Sequence, residues 1–133
     1  MKLIEYIVNL QTLLRKFGDV EVKYCTTYEF ENKEKREEFE EPFKVYYNSN
    51  EKCIIIHDEF VRDEWRIKMK LKEYIASLQK LLDENGDSDI TVRTKRFHQN
   101  LDIDENYSAP DKPYFDKYQK CYVIHSAFVR DEN

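Results

Sequence analysis

Two copies of a Cys-x3-His pattern carry the side chains with the most reactive chemistry in this chain of 133 residues. Cys53 is followed by His57, and Cys121 is followed by His125. Two cysteines and two histidines make a donor set for zinc, and a cysteine beside a histidine can act as a nucleophile with its base. A strand rises about 3.3 Å per residue, so positions four apart lie about 13 Å from each other. Neither pair can hold one metal ion within an extended segment.

A zinc site would have to combine the pairs of both copies, and a Cys53–Cys121 disulfide would need the same approach. We interpret the cysteines as small buried side chains and the histidines as residues that close strands, so the sequence predicts no metal and no cofactor. The chain has only two glycines and lacks a glycine-rich phosphate loop, GxSxG, HExxH and a DxDxDG calcium loop. These patterns predict a protein without catalytic residues that is not an enzyme.

Acidic side chains form the densest charged stretch and are the first candidates for binding a partner. The candidate residues are Glu34, Glu37, Glu38, Glu40 and Glu41 in the first half, and Asp102, Asp104 and Glu105 in the second half. Alternation with Lys33, Lys35 and Arg36 is typical of a solvated face. The functional interpretation is a carboxylate array that faces the basic surface of a protein partner, since charge complementarity speeds association.

A short basic segment provides the alternative interpretation, which is nucleic-acid binding. The segment RTKRFH contains Arg93, Lys95, Arg96 and His98, with Phe97 between them. Basic side chains interleaved with an aromatic ring can contact a single strand through its phosphates and bases. The net charge of -5 argues against general binding to phosphate backbones, and the first half has no such patch. A solvated strand face is the favoured interpretation of this segment.

Cysteine count and hydropathy bear on where the protein works. Three cysteines are an odd set, unlike the disulfide framework of a secreted domain. Glu5, Asn9 and Gln11 interrupt the apolar N-terminal stretch, which therefore does not match a signal peptide. No apolar run approaches the roughly 18 residues of a membrane span. The sequence predicts a cytoplasmic protein without membrane association.

The sequence contains an internal repeat, and the fold of the repeated unit must position the candidate residues. MKLIEYIVNLQTLL at residues 1–14 matches MKLKEYIASLQKLL at residues 69–82. KCIIIHDEFVRDE at residues 52–64 matches KCYVIHSAFVRDE at residues 120–132. Met1 corresponds to Met69, so the offset is 68 residues in both segments. Matches at both ends in one register indicate a small gene that was copied and fused.

Each copy begins with an amphipathic helix. The apolar stripe consists of Leu3, Ile7, Leu10 and Leu14 in the first copy and of Leu71, Ile75, Leu78 and Leu82 in the second. This spacing follows the period of an α-helix and gives both helices one face to bury. Gly18 and Gly86 stand just past the last periodic residue, where glycine commonly ends a helix.

After each helix the apolar period changes to two residues, which predicts a strand. The centres of the copies have diverged, so we expect a local shift that aligns Val20 and Val22 with Ile90 and Val92. A charged loop follows, and then a hairpin, which turns at NSN, residues 48–50, in the first copy. The segment PYFDKYQKCYVIH, residues 113–125, is the equivalent hairpin of the second copy. Each copy is therefore predicted to be a helix-strand-loop-strand-strand unit.

One copy cannot cover its helix stripe and its sheet face alone, whereas two packed copies can. We therefore predict an α+β fold made by tandem duplication, with repeats at residues 1–65 and 69–133 in a single domain spanning residues 1–133. In this fold two helices pack on an antiparallel sheet of about six strands, related by a pseudo-twofold axis.

The pattern MKLxEYIxxLQxLLxxxGD, followed by a strand and a charged loop, resembles small accessory proteins of bacteriophages and prophages. Counter-defence factors such as anti-CRISPR proteins belong to this group. The resemblance implies an inhibitor or accessory factor that works in the cytosol of a bacterial host. Such a factor would be a small non-enzymatic binding protein that occupies a surface of a host protein.

Overall fold

The computed structural model describes residues 1–30, 32–43, 45–58, 66–97 and 103–130. The helices and strands, in chain order, are α1 (Leu3–Phe17), β1 (Val22–Glu29), β2 (Lys35–Glu40), β3 (Tyr46–Asn48), β4 (Cys53–Asp58), α2 (Leu71–Asn85), β5 (Asp89–Phe97), β6 (Ile103–Ser108), β7 (Tyr114–Asp116) and β8 (Cys121–Arg130). The predicted α+β class is confirmed.

The described strands form two four-stranded sheets instead of one. The strand order is β2-β1-β8-β7 in the first sheet and β3-β4-β5-β6 in the second. In both sheets the two central strands are parallel and the outer pairs are antiparallel. The prediction of one antiparallel sheet was therefore wrong.

The parallel central pairs arise from the way the two halves interlock. Helix α2 connects β4 to β5 and acts as the crossover that neighbouring parallel strands require. Strand β1 pairs in parallel with β8, which lies at the other end of the chain. Each sheet thus takes two strands from residues 1–65 and two from residues 69–133. Both sheets are completed only when the two halves come together.

Each helix buries the apolar stripe that its sequence predicts. The buried residues are Leu3, Tyr6, Ile7 and Leu10 in α1, and Leu71, Tyr74, Ile75 and Leu78 in α2. Gly18 and Gly86 follow the helices with φ angles of 87° and 81°. A side chain is strained in this region of positive φ, which explains glycine at both positions.

The N-terminus of each helix is capped by an aspartate from the other half. The N–H of Ile4 donates to Oδ1 of Asp87 at 2.9 Å, and the N–H of Lys72 donates to Oδ1 of Asp19 at 2.9 Å. A carboxylate at this place satisfies an N–H without an intrahelical partner and favours the positive end of the helix dipole. Each helix therefore depends on the opposite half for its start.

The offset of 68 residues extends through the centres of the two halves. The N–H of Val22 donates to the carbonyl of Met69 at 3.0 Å, and the N–H of Ile90 donates to the carbonyl of Met1 at 2.9 Å. Val22 is therefore the equivalent of Ile90, and the predicted local shift was wrong. The backbone hydrogen bonds follow the same offset in this region, although the side chains of the two copies have diverged.

Strands occupy most of the two segments predicted to be charged loops. Strand β2 pairs antiparallel with β1, and β6 pairs antiparallel with β5. Tyr24 lies opposite Glu40, and Val92 lies opposite Ser108, which again preserves the offset. The unit is thus one helix followed by four strands, while its origin by gene duplication stays a prediction. Both segments form sheet edges, where charged residues protect against pairing with other chains.

One hydrophobic core contains residues from both helices and both sheets. Tyr6 and Tyr74 are equivalent residues, and both are fully buried. The hydroxyl of Tyr24 donates to the carbonyl of Ile56, at the point where β4 shifts its register against β5. Helix α1 also contacts β7, and α2 contacts β3. These two helix–strand contacts form the equivalent ends of the domain.

Candidate functional site

The cysteine–histidine pairs form no shared site within the described part of the chain. Cys53 lies in β4 and Cys121 in β8, which belong to different sheets, and no disulfide links the three buried cysteines. Among the described residues, no three His, Cys, Asp or Glu side chains group as metal ligands. Burial raises the pKa of Cys121 to about 11, so its thiol stays protonated and weakly nucleophilic at neutral pH.

The histidine of the second copy lies next to an aspartate. Nδ1 of His125 lies 3.3 Å from Oδ2 of Asp111. Burial lowers the pKa of His125, and the carboxylate of Asp111 opposes this change. The side chain of His57 lies outside the described ones.

Two of the acidic candidates in the first half are held by basic side chains of the same chain. A carboxylate oxygen of Glu40 lies 3.1 Å from Arg66, and one of Glu41 lies 2.7 Å from Nζ of Lys23. Lys23 and Arg66 are largely buried, so these ion pairs belong to the packing of the domain. The charge that this segment offers to a partner is correspondingly smaller than the sequence predicts.

The remaining acidic candidates of the first half lie at an exposed sheet edge. Glu37 and Glu38 are exposed on β2, opposite Thr27 and Thr26 of β1. Glu34 is exposed in the turn before β2, and its N–H donates to Oδ1 of Asn32 at 3.0 Å. These residues do not surround a cavity that the structure shows.

In the second half, the backbone register places the acidic and basic candidates side by side. The strand partners are Lys95 with Glu105, Arg96 with Asp104, and Phe97 with Ile103. Arg93 is half-buried opposite Tyr107. His98 and Asp102 lie outside the described residues. The basic segment is therefore no separate strip of positive positions, since acidic positions accompany it on the neighbouring strand.

A charged cavity of about 520 Å³ lies beside the start of β8. It is lined by Asp19, Val20, Glu21, Lys23, Phe39, Lys70, Gln119, Lys120 and Cys121. Lys68 and Lys23 lie 3.0 Å and 3.6 Å from the carboxylate of Glu21. A hydrogen bond from Lys68 lowers the pKa of Glu21. Because opposite charges neutralise each other here, the cavity presents no uniform charge to an anion or a cation.

A second cavity, of about 490 Å³, lies between α2 and β3, and we call it the α2–β3 groove. It is lined by Val45, Tyr46, Tyr47, Ser77, Lys80, Leu81, Glu84 and Asn85. The volume falls within the range of about 300–1,000 Å³ that is typical of binding pockets. Strand β3 is an edge strand, so the groove lies at the border of the second sheet. No sequence motif predicted it.

The equivalent place at the other end of the domain is filled by an aromatic ring. Phe17, at the end of α1, stacks on Phe115 of β7 with ring centroids 4.4 Å apart and an angle of 10° between the planes. The offset of 68 residues makes Asn85 the equivalent of Phe17, and Tyr47 the equivalent of Phe115. The groove therefore lies where the first half places a phenylalanine.

Asn85 leaves the groove open because its side chain turns back to its own helix. Its Nδ2 donates to the carbonyl of Leu81 at 3.3 Å. A second contact also differs between the two ends. The hydroxyl of Tyr122 lies 2.8 Å from the carbonyls of Leu13 and of Gly18, and ties the end of α1 to β8. The equivalent of Tyr122 is Ile54, which has no hydroxyl group to donate.

The charges at the two helix ends also differ in sign. The last turn of α1 carries Arg15 and Lys16, which complement the negative end of the helix dipole. The equivalent residues of α2 are Asp83 and Glu84, and its last turn has no basic residue. A position-by-position comparison of the two copies reveals this exchange of charge in the sequence. Only the packing of α2 against β3 shows that the exchanged residues lie at the groove.

No family model matches this chain, and no curated protein or solved structure is significantly similar to it. Among the described residues, no helix has the length and apolar character needed to cross a membrane. A function has to be argued from the cavities and surfaces of the molecule itself.

Proposed function

We propose that this protein is a non-catalytic binding protein whose α2–β3 groove receives a side chain of a protein partner. The observation that carries this proposal is the difference between the two ends of the domain. Phe17 fills the place at the end of α1, whereas Asn85 leaves a cavity of about 490 Å³ at the end of α2.

The lining of the groove favours binding over catalysis. Ser77 is the only hydroxyl group of serine or threonine among the lining residues, and it donates to the carbonyl of Glu73 at 3.0 Å. No histidine or cysteine lines the groove. The groove therefore lacks the pairing of a nucleophile with a base that covalent catalysis requires.

A protein partner fits the groove better than a nucleic acid does. Phe17 shows that the equivalent place accommodates the side chain of a protein residue. Edge strand β3 borders the groove, and a strand edge is a common place for an extended peptide to dock. Asp83 and Glu84 at the helix end would repel phosphate groups. The nucleic-acid alternative is based on Arg93, Lys95, Arg96, Phe97 and His98, and acidic positions on the neighbouring strand accompany its basic ones.

The resemblance to phage accessory proteins indicates the kind of partner. A host protein that offers one side chain to the groove would be covered at that point of its surface. The protein would then act as an inhibitor or accessory factor by occupying this surface, without changing the partner chemically.

A peptide-display library selected on the wild-type protein tests the proposal. Each enriched peptide is titrated against the wild type and against Asn85→Phe, which places the ring of the first half into the groove. We expect Asn85→Phe to weaken binding about tenfold or more, because the added ring occupies the site of the peptide side chain.

Ala76→Phe is the matched control, because it adds the same ring at an exposed position of α2 outside the groove. This variant should bind the peptides like the wild type, and circular dichroism should show both variants folded. Failure to enrich any peptide, or equal binding by Asn85→Phe, contradicts the proposal.

A further inference from the structure

We infer that the side chain received by the α2–β3 groove is aromatic and stands next to a basic residue in the partner's sequence. This inference rests on the proposed function and adds the chemical class of the bound segment. It follows from two independent observations, the ring stacking at the end of α1 and the charge at the end of α2.

The aromatic part follows from the contact that the molecule makes at its other end. Phe17 lies nearly parallel to Phe115, with centroids 4.4 Å apart, and Phe115 in turn contacts Tyr122 edge-on at 5.5 Å. Tyr47 holds the position of Phe115 in the groove. Because stacked rings prefer this spacing, a partner's ring can lie on Tyr47 as Phe17 lies on Phe115.

The walls of the groove are prepared for an aromatic ring. Val45 lines the groove and is buried in the core, which holds its side chain in place. Tyr46 contacts the ring of Phe43 at 6.3 Å, and Phe43 is itself buried. Leu81 of α2 is partly buried against the same core. A ring that enters between these residues would cover apolar surface without reordering many side chains, which favours affinity.

The basic part follows from the acidic residues in the last turn of α2, which contains no basic residue. Asp83 and Glu84 add negative charge where the helix dipole is already negative, and Glu84 lines the groove. Lys80 also lines the groove, one turn before Glu84, so the groove carries one charge of each sign and the negative excess comes from Asp83 beside it. An arginine or lysine beside the partner's aromatic residue would supply the positive charge that Arg15 and Lys16 supply at the end of α1.

Four short peptides test both parts with one measurement. Acetylated and amidated Gly-Ser-X-Z-Ser-Gly peptides carry Phe or Leu at X and Arg or Glu at Z. Each is titrated into the isotope-labelled wild-type protein and followed by NMR chemical shifts. We expect the Phe-Arg peptide to bind most tightly and to shift the amides of α2 and β3. Exchange of Phe for Leu should weaken binding about tenfold, because the stacking contact is lost.

Exchange of Arg for Glu should weaken binding several-fold, and added salt should reduce this difference because it screens the charges. The double variant Asp83→Asn/Glu84→Gln should bind the Phe-Arg and Phe-Glu peptides about equally well. Equal binding of the Phe-Arg and Leu-Arg peptides overturns the aromatic part. Equal binding of Phe-Arg and Phe-Glu to the wild type overturns the basic part, and no binding of any peptide overturns both.

The outcome also separates this inference from the proposed function. If displayed peptides bind in the groove and lose affinity with Asn85→Phe, but use aliphatic or acidic residues, the proposed function stands and the inference fails. If displayed peptides bind Asn85→Phe as tightly as the wild type, the proposed function fails as well.

Discussion

The two ends of this domain, where α1 contacts β7 and α2 contacts β3, have equivalent backbone elements but different side chains at the helix end. The exchanged pairs are Phe17 with Asn85, Phe115 with Tyr47, and Tyr122 with Ile54. At the end of α1, a ring stack and a tyrosine hydroxyl bind the helix to the sheet. At the end of α2, the equivalent residues leave a groove. The two equivalent ends therefore differ in packing: one is closed by a ring stack and the other is open.

The open end runs against two rules that favour a stable helix. Acidic residues in a last turn oppose the helix dipole, and an uncovered apolar groove keeps contact with water that burial would remove. Deviations from such rules without an evident gain in stability are expected at functional sites. The end of α1 has basic residues in its last turn and a ring stack, so it serves as the internal reference for the open end.

The largest effect that we expect tests whether the cores of the two halves are equivalent. Leu10 and Leu78 are both 0% exposed at equivalent positions. Leu10→Ala and Leu78→Ala should each lower the free energy of unfolding by about 2–5 kcal/mol, because each leaves a cavity in the shared core. Urea unfolding should show one transition for both variants. A large loss of unfolding free energy at only one position, or two separate transitions, would show that the two halves do not share one equivalent core.

A second prediction opens the closed end. Phe17→Asn removes the ring stack, so the free energy of unfolding should fall by about 1–2 kcal/mol, a moderate loss since Phe17 is 42% exposed. The new groove would lie beside Arg15 and Lys16. It should therefore bind the Phe-Glu peptide described above better than the Phe-Arg peptide. NMR titration of Phe17→Asn/Asn85→Phe, in which only the new groove is open, measures this preference, and unchanged selectivity would contradict it.

A third prediction concerns the hydroxyl that holds the end of α1. Tyr122→Phe keeps the ring against Phe115 and removes the donor to the carbonyls of Leu13 and Gly18. We expect a loss of about 1 kcal/mol in the free energy of unfolding. Tyr118→Phe is the control, because Tyr118 is 96% exposed and its variant should unfold like the wild type. Equal stability of Tyr122→Phe and the wild type would show that the Tyr122 hydroxyl does not contribute to the difference between the ends.

The smallest effect is expected at the acidic edge that the sequence first proposed for binding. Glu37 and Glu38 are exposed on edge strand β2, away from the residues that line the groove. Glu37→Lys/Glu38→Lys should change the free energy of unfolding by less than about 0.5 kcal/mol. It should leave peptide binding unchanged in the titration. If this variant loses as much binding as Asn85→Phe does, the binding site includes β2 and the groove alone does not explain binding.

The sequence allowed the helices and the hairpin of each copy to be predicted, because local rules determine them. The spacing of Leu3, Ile7 and Leu10 requires a helix with one buried face, and Asn48 marks the turn before β4. Oδ1 of Asn48 accepts hydrogen bonds from the N–H groups of Asn50 and Glu51, as expected of asparagine in a turn. These contacts lie within a few residues of each other in the chain.

Strand pairing could not be predicted in the same way. An alternating pattern of apolar residues predicts which face of a strand is buried, but it does not predict which strand lies next to it in the sheet. Val22 and Ile90 are placed by backbone hydrogen bonds to Met69 and Met1, each from the opposite half. The sequence predicts a loop for the acidic stretch because most of its residues are charged. The structure forms strand β2 there, because the stretch pairs with β1.

The amino-acid sequence by itself determined the repeat, the helix faces and the exchange of Phe17 for Asn85. Only the tertiary structure decided that each half completes the sheets of the other and that this exchange opens a groove against Tyr47. The physical reason is that periodicity and turn chemistry act over a few neighbouring residues. Parallel pairing and cavities instead depend on which distant surfaces meet when the chain buries its apolar area.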